Sequence, residues 1–467
     1  MLSKTEKPLM RLSAVTGLLF ALCGNHGLAE EAKHLVQLDS GVVQGHVHAG
    51  PEPSLEFLGI PYGADTGGEN RFRGPQAVPP WEGVYMADQV GPDCVANRPD
   101  SPDGRITPAR EPNINNQSED CLYLNLWTPA LDDGKRPVLV WLHGGGLRFG
   151  TYNKIGFTGN HLAARHNLVV TAINYRLGAA GMMTHPALVD EDTGYIGNWN
   201  IQDWLAMARW VKQNIAAFGG DPDNIIFFGE SGGSVGVNDL AMVNPEIRAG
   251  LVHKVIGQSG DPSISTMARH TEEAEEFFRN VGCGDINEPG SLACVRNLSQ
   301  EEFHAGFAEF SAWPAHDGKL IRYADPVAAA NAGETIGIDI VTGENGPRDV
   351  ATEVSWNFLM AHNAQGSGRG YRYYMTDSSG VTARHVAEIR LVWGTWEDGY
   401  SFGDNSDPNV KFLSDHWMQS WANFAHSGDP SFESETLGNI DWPIFEAGDH
   451  QTMIWGAPPQ VEAMTPE

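Results

Sequence analysis

This sequence predicts an α/β fold: a mostly parallel central sheet, helices on both of its faces, and a small antiparallel sheet at the N-terminal end. Three observations carry that prediction. Short apolar runs at 137–142, 167–173 and 224–228 have the length and the aliphatic and aromatic make-up of buried strands. Between the second and third runs, residues 201–218 carry apolar side chains at helical spacing, with Ile201, Trp204, Leu205, Ala208, Val211 and Ile215 on one face. Strands that alternate with helices pair in parallel, each helix returning the chain to the same end of the sheet. Residues 35–60 instead alternate in polarity, with Gly41 and Gly45 as punctuation, and read as short antiparallel strands.

Composition narrows the class. The chain has 467 residues, enough to bury a large core, and 30 Lys+Arg against 59 Asp+Glu give a net charge of −29. Such a surface is well solvated and repels nucleic acid and anionic membranes, so neither is an expected partner. No Cys/His cluster has metal-ligand spacing, and no metal or organic cofactor is expected. At the N-terminus, Lys4, Lys7 and Arg11 precede the apolar run 12–23, and Gly27-Leu28-Ala29 has the small-x-small form of a cleavage site. Residues 1–29 therefore read as a signal peptide, with 30–467 as a single secreted or periplasmic domain. Leu22 before Cys23 is too bulky for lipoprotein processing. No later run is long and apolar enough for stable membrane insertion. Four cysteines remain: Cys94, Cys121, Cys283 and Cys294. An even number in an oxidising compartment suggests two disulfides, and three pairings are open.

The chemistry is concentrated at the end of the run 224–228. Gly229-Glu230-Ser231-Gly232-Gly233 is a G-x-S-x-G sequence, the form of a nucleophile held on a sharp strand-to-helix turn. The helix that follows aims amide donors and its positive end at an anion forming on the substrate. A second motif, His143-Gly144-Gly145-Gly146-Leu147, directly follows the strand 137–142. Glycines there leave backbone N–H groups able to face a substrate oxygen.

With these two motifs in order, the sequence resembles the carboxylesterase/cholinesterase family (type B carboxylesterases) of the α/β-hydrolase fold over about residues 38–445. Further matches are Phe57-Leu58-Gly59-Ile60-Pro61-Tyr62, Glu119-Asp120-Cys121-Leu122-Tyr123-Leu124-Asn125, Asn174-Tyr175-Arg176-Leu177-Gly178, Gln258-Ser259-Gly260 and Trp421-Ala422-Asn423-Phe424-Ala425. The resemblance implies Ser231 as nucleophile and the N–H groups of Gly145, Gly146 and Gly232 as the oxyanion hole. The family usually has Ala at position 232, so the glycine is expected to supply the same N–H on a looser backbone. It also implies the disulfides Cys94–Cys121 and Cys283–Cys294. His385, in Ala383-Arg384-His385-Val386-Ala387-Glu388-Ile389, is similar to the family's catalytic histidine segment, whereas His426 falls at a family-like but noncatalytic helix end.

The acid is the point of departure. The family carries it in a loop after a strand, here 338–342, in a glycine-initiated run ending Asp-Glu-Gly. The loop in this chain is Gly343-Glu344-Asn345-Gly346-Pro347-Arg348-Asp349. A one-residue insertion makes Asp349 the acid, with Glu353 and Glu344 as alternatives. Only 36 residues then separate Asp349 from His385, where the family has a long helical segment walling the site. The expectation is a serine carboxylic-ester hydrolase acting on small-molecule esters, with an open site that accepts bulky ones. The alternatives are a noncatalytic binding protein on the same fold and an amide or lipid hydrolase. Substrate identity and oligomeric state are not legible in the sequence.

Overall fold

The computed structural model describes residues 34–48, 50, 52–96, 116–310, 313–346, 353–399 and 404–464. The signal-peptide reading of residues 1–29 and residues 97–115 fall outside them. Eleven strands form the main sheet: β1 (His46–Val47), β2 (Leu55–Pro61), β3 (Tyr123–Thr128), β4 (Arg136–Leu142), β5 (Val169–Ile173), β6 (Gly220–Glu230), β7 (Lys254–Gln258), β8 (Asp339–Asn345), β9 (Gly370–Met375), β10 (Gln451–Trp455) and β11 (Gln460–Ala463). Across the sheet they run β1-β2-β3-β5-β4-β6-β7-β8-β9-β10-β11. From β5 through β10 every pair is parallel, and the edges are antiparallel. The expected N-terminal hairpin is present as Leu35–Leu38 paired antiparallel with Gly41–Gln44, joined in parallel by Val84–Met86.

The central strands read as continuous apolar runs because both of their faces are buried. On β4, Val138, Val140 and Leu142 face one core, while Leu139 and Trp141 face the other. β6 repeats this, with Ile225 and Phe227 on one side and Ile226 and Phe228 on the other. The first face is covered by α2 (Trp199–Asn214) and α3 (Gly232–Ala241). The second is covered by α1 (Asn160–His166) and the long helix α6 (Pro408–Ser427). All six apolar residues predicted for the 201–218 helix are buried on that first face. A 3-10 turn, Ile215–Phe218, finishes the element. Two further helices matter for the site, α4 (Met267–Asn280) and α5 (Glu353–Ala364).

One boundary differs from expectation. β8 does not end at 342 but continues through Gly343, Glu344 and Asn345, paired with Tyr373, Tyr374 and Met375 of β9. Glycine lets the strand continue there: a β-carbon at Gly343 would lie 2.3 Å from Tyr373 O. Both disulfides form as implied, Cys94–Cys121 and Cys283–Cys294. Among the described residues no helix is long and apolar enough to cross a membrane.

Candidate active site

Ser231 stands at the junction of β6 and α3, at the centre of the sheet. Its φ of 58° and ψ of −120° are strained for a residue with a side chain, at a cost of about 1–3 kcal/mol. The strain is held by a donated bond from its N–H to Gln258 O (2.8 Å) and an accepted one from Val235 N (3.0 Å). The turn is so tight that a β-carbon at Gly233 would sit 2.0 Å from Leu142 O. That contact is the physical reason for a glycine two positions after the serine.

His385 reaches the serine from a turn between β9 and the short helix Ile389–Val392. Its Nε2 lies 2.8 Å from Ser231 Oγ. The turn is gripped from beneath by Glu388, whose fully buried carboxylate accepts from Ser259 Oγ (3.0 Å) and from Asn345 Nδ2. Asn345 Nδ2 also donates to Arg384 O at 3.2 Å. The C-terminal ends of β7 and β8 thus locate the imidazole. Glu230, the variable residue of the G-x-S-x-G motif, is buried with Oε1 3.3 Å from His385 Nε2.

The glycine triplet closes over the start of α3. Gly145 and Gly146 have φ of 111° and 62°, and Arg148 N and Phe149 N both bond Gly145 O, at 3.1 and 3.2 Å. A β-carbon on Gly144 would be 3.1 Å from Ser231 Cβ. Gly232 is not loosely held as expected: a β-carbon there would lie 2.5 Å from Gly146 N and 2.7 Å from Leu147 N. The glycine permits a close approach of the triplet to α3 rather than extra freedom. His143 anchors the loop. It is stacked on Tyr175 at 4.5 Å, and its Nδ1 donates to Gly144 O at 2.8 Å. Complete burial lowers its pKa to about 3, so the ring is neutral.

The three acid candidates fare differently. Asp349 lies outside the described residues. Glu344 belongs to β8, and its carboxylate pairs with buried Arg372, whose guanidinium lies over Trp356 at 4.4 Å. Side chains alternate along a strand, so Asn345 faces the histidine turn and Glu344 faces away from it. Glu353 opens α5 and is exposed. Sequence reading missed Glu230, Ser259 and Asn345 as neighbours of the site. Glu230 could have been found, since it adjoins Ser231 in the motif. The other two become neighbours only through sheet register. Among the described residues no group of His, Cys, Asp or Glu is arranged to hold a metal ion.

The pattern described as "Carboxylesterase family" matches residues 32–346. The chain belongs to the carboxylesterase family. Within it, the chain is 35% identical over 306 residues to pyrethroid hydrolase Ces2e of Rattus norvegicus, covering 63% of this chain and 51% of that one. It is 32% identical over 334 residues to neuroligin-2 of Rattus norvegicus, covering 63% of this chain and 38% of that one. The match thus spans about half the length, or less, of these curated relatives. Among solved structures, the Geobacillus stearothermophilus carboxylesterase EST55 superposes with a TM-score of 0.76 at 27% identity, over 92% of this chain and 97% of that one. A thermophilic pNB esterase shares the fold with a TM-score of 0.81 at 24% identity, over 92% and 98%.

Proposed function

We propose that this carboxylesterase-family chain is an exported serine hydrolase of carboxylic esters. The observation that carries the reading is the 2.8 Å contact between His385 Nε2 and Ser231 Oγ, on a serine held in a strained elbow. His385 takes the serine proton as Oγ attacks the ester carbonyl. The oxyanion faces the N–H groups of Gly145, Gly146 and Gly232. The alcohol leaves with the proton from His385, and water activated by the same imidazole releases the acid. Asp349 is the residue assigned to orient His385 and stabilise its cation. Two disulfides are in keeping with export through an oxidising compartment, and residues 1–29 would be the signal removed on the way.

The site is proposed to be open. The His385 side chain is 43% exposed, in keeping with the short connection between acid and base. Bulky esters are then accepted. The relationship to neuroligin-2 favours one second reading, a noncatalytic binding protein. Hydrolysis of p-nitrophenyl butyrate separates the two. The enzyme reading expects turnover that falls at least about 10³-fold in Ser231→Ala and about 10²–10⁴-fold in Asp349→Asn, with the thermal melt retained. No turnover by the unaltered protein leaves the binding reading. Near-normal turnover in Asp349→Asn would move the acid to Glu353.

A further inference from the structure

We infer that Arg372, through its ion pair with Glu344, is a positioning residue for the base: it fixes the register of the last residues of β8, and with it the turn that carries His385. This rests on the ester-hydrolase reading above and adds to it a residue that acts through its neighbours. Gly343, Glu344 and Asn345 are poor strand formers. β8 nevertheless runs through them, with Thr342 opposite Arg372, Glu344 opposite Tyr374 and Asn345 opposite Met375. Register matters at this place. Asn345 Nδ2 bonds Arg384 O at 3.2 Å and the Glu388 carboxylate, on either side of His385 in the chain. A slip of one residue would turn Asn345 to the opposite face of the sheet, away from that turn.

The guanidinium is fixed on several sides. Arg372 is fully buried, and its Nη2 donates to Oε1 of the buried Glu344 carboxylate. Its Cζ lies 4.4 Å from the Trp356 ring centroid and 6.0 Å from that of Phe445, and the two rings meet edge-on at 5.1 Å. Nη1 donates to Ser355 Oγ at 3.4 Å, so the start of α5 closes over the cation. Asp261, in the loop after β7, is a second carboxylate near enough to act on it. Its backbone is held too, since Trp442 Nε1 donates to Arg372 O at 3.0 Å.

Energetics separate positioning from stabilisation here. Two charges taken out of water lose about as much hydration as their attraction returns, so apolar residues of similar size serve stability as well or better. Such a pair does enforce register: with β8 slid by one position, Glu344 would leave the buried guanidinium uncompensated. Two adjacent residues thus do separate tasks. Glu344 is held by Arg372 on one face of the sheet, and Asn345 holds the histidine turn on the other. β8 lies two strands from β6, which ends at the nucleophile. The 2.8 Å contact between His385 Nε2 and Ser231 Oγ therefore depends on how β8 ends.

The test removes both charges together in Glu344→Leu/Arg372→Met, with Arg372→Lys as a second variant that keeps the charge and loses the planar fork. Hydrolysis of p-nitrophenyl butyrate is measured per Ser231 site labelled to completion by a fluorophosphonate, so that unfolded protein is not counted. In the double variant kcat is expected to fall about tenfold or more with KM within about twofold, because the base is misplaced while ester binding is kept. Arg372→Lys is expected to lose a smaller factor, still above about twofold. In an Asn345→Ala background the double replacement should cost less than about twofold further, since the pair acts through that amide. The inference is overturned if kcat of the double variant stays within about twofold of the unaltered protein, if KM carries the loss, or if the loss is as large in the Asn345→Ala background. Should the double variant yield no labelled sites, unchanged kcat in Arg372→Lys overturns it. If the unaltered protein hydrolyses no ester, the esterase reading itself fails.

Discussion

Burial holds several histidines of the folded chain neutral. His362 on α5 is buried, with Nδ1 2.8 Å from Thr335 Oγ1, and desolvation lowers its pKa to about 4. The unfolded chain takes up this proton near pH 6.5, well before the folded chain does. The contribution of the neutral ring to stability is therefore complete above about pH 6.5 and is lost as pH falls towards 4. Urea unfolding at pH 7 and pH 5 should show the unaltered protein losing about 1–2 kcal/mol more than His362→Gln over that interval. An equal loss in the two proteins would mean that the ring is solvated in the folded state. His143 acts in the same direction, its pKa lowered by burial beneath the glycine triplet, so acid is expected to loosen the glycine-triplet loop along with the core.

The elements around the site are tied by buried ion pairs as well as by sheet bonds. Asp203 on α2 is fully buried, and its carboxylate takes Arg176 N, Nε and Nη2 at 2.6–3.1 Å. Arg176 follows β5 and also donates from Nη1 to Arg73 O at 2.7 Å. One guanidinium thus joins the N-terminal segment, the end of β5 and the helix under the elbow. Removing the carboxylate leaves an uncompensated buried cation, so Asp203→Asn should destabilise by about 3–5 kcal/mol in chemical unfolding. A loss under about 1 kcal/mol would mean that water reaches Arg176. Apolar period revealed α2 and its buried face from sequence. It did not reveal the end of β8, because Gly343, Glu344 and Asn345 look like turn residues and only pairing with β9 makes them strand.

Across the whole molecule, the C-terminal ends of the central strands gather the site from segments far apart in sequence. Ser231, Ser259 and Asn345 follow or end three adjacent strands, and His385 lies 154 positions from the serine it bonds. The proposed openness over this edge belongs to the same scale. A panel of p-nitrophenyl and naphthyl esters of growing acyl size should show kcat/KM falling by no more than about tenfold from butyrate to a branched or aromatic acyl group. A preference for acetate with exclusion of large acyl groups would mean that other segments close the site.

The sequence by itself determined the fold class and the buried faces of the central strands, and it singled out Ser231, the glycine triplet and His385, which the structure brings together. These are written in local patterns: apolar period, glycines at a strand end, and motif order. Only the tertiary structure decided that Glu344 serves Arg372, that Asn345 and Glu388 hold the turn of His385, that Gly232 is a close approach, and that Arg148 borders the glycine triplet. Each of those depends on which strand lies beside which and on the face a residue takes when a strand runs three positions longer. Sheet register sets both, and no local pattern encodes it.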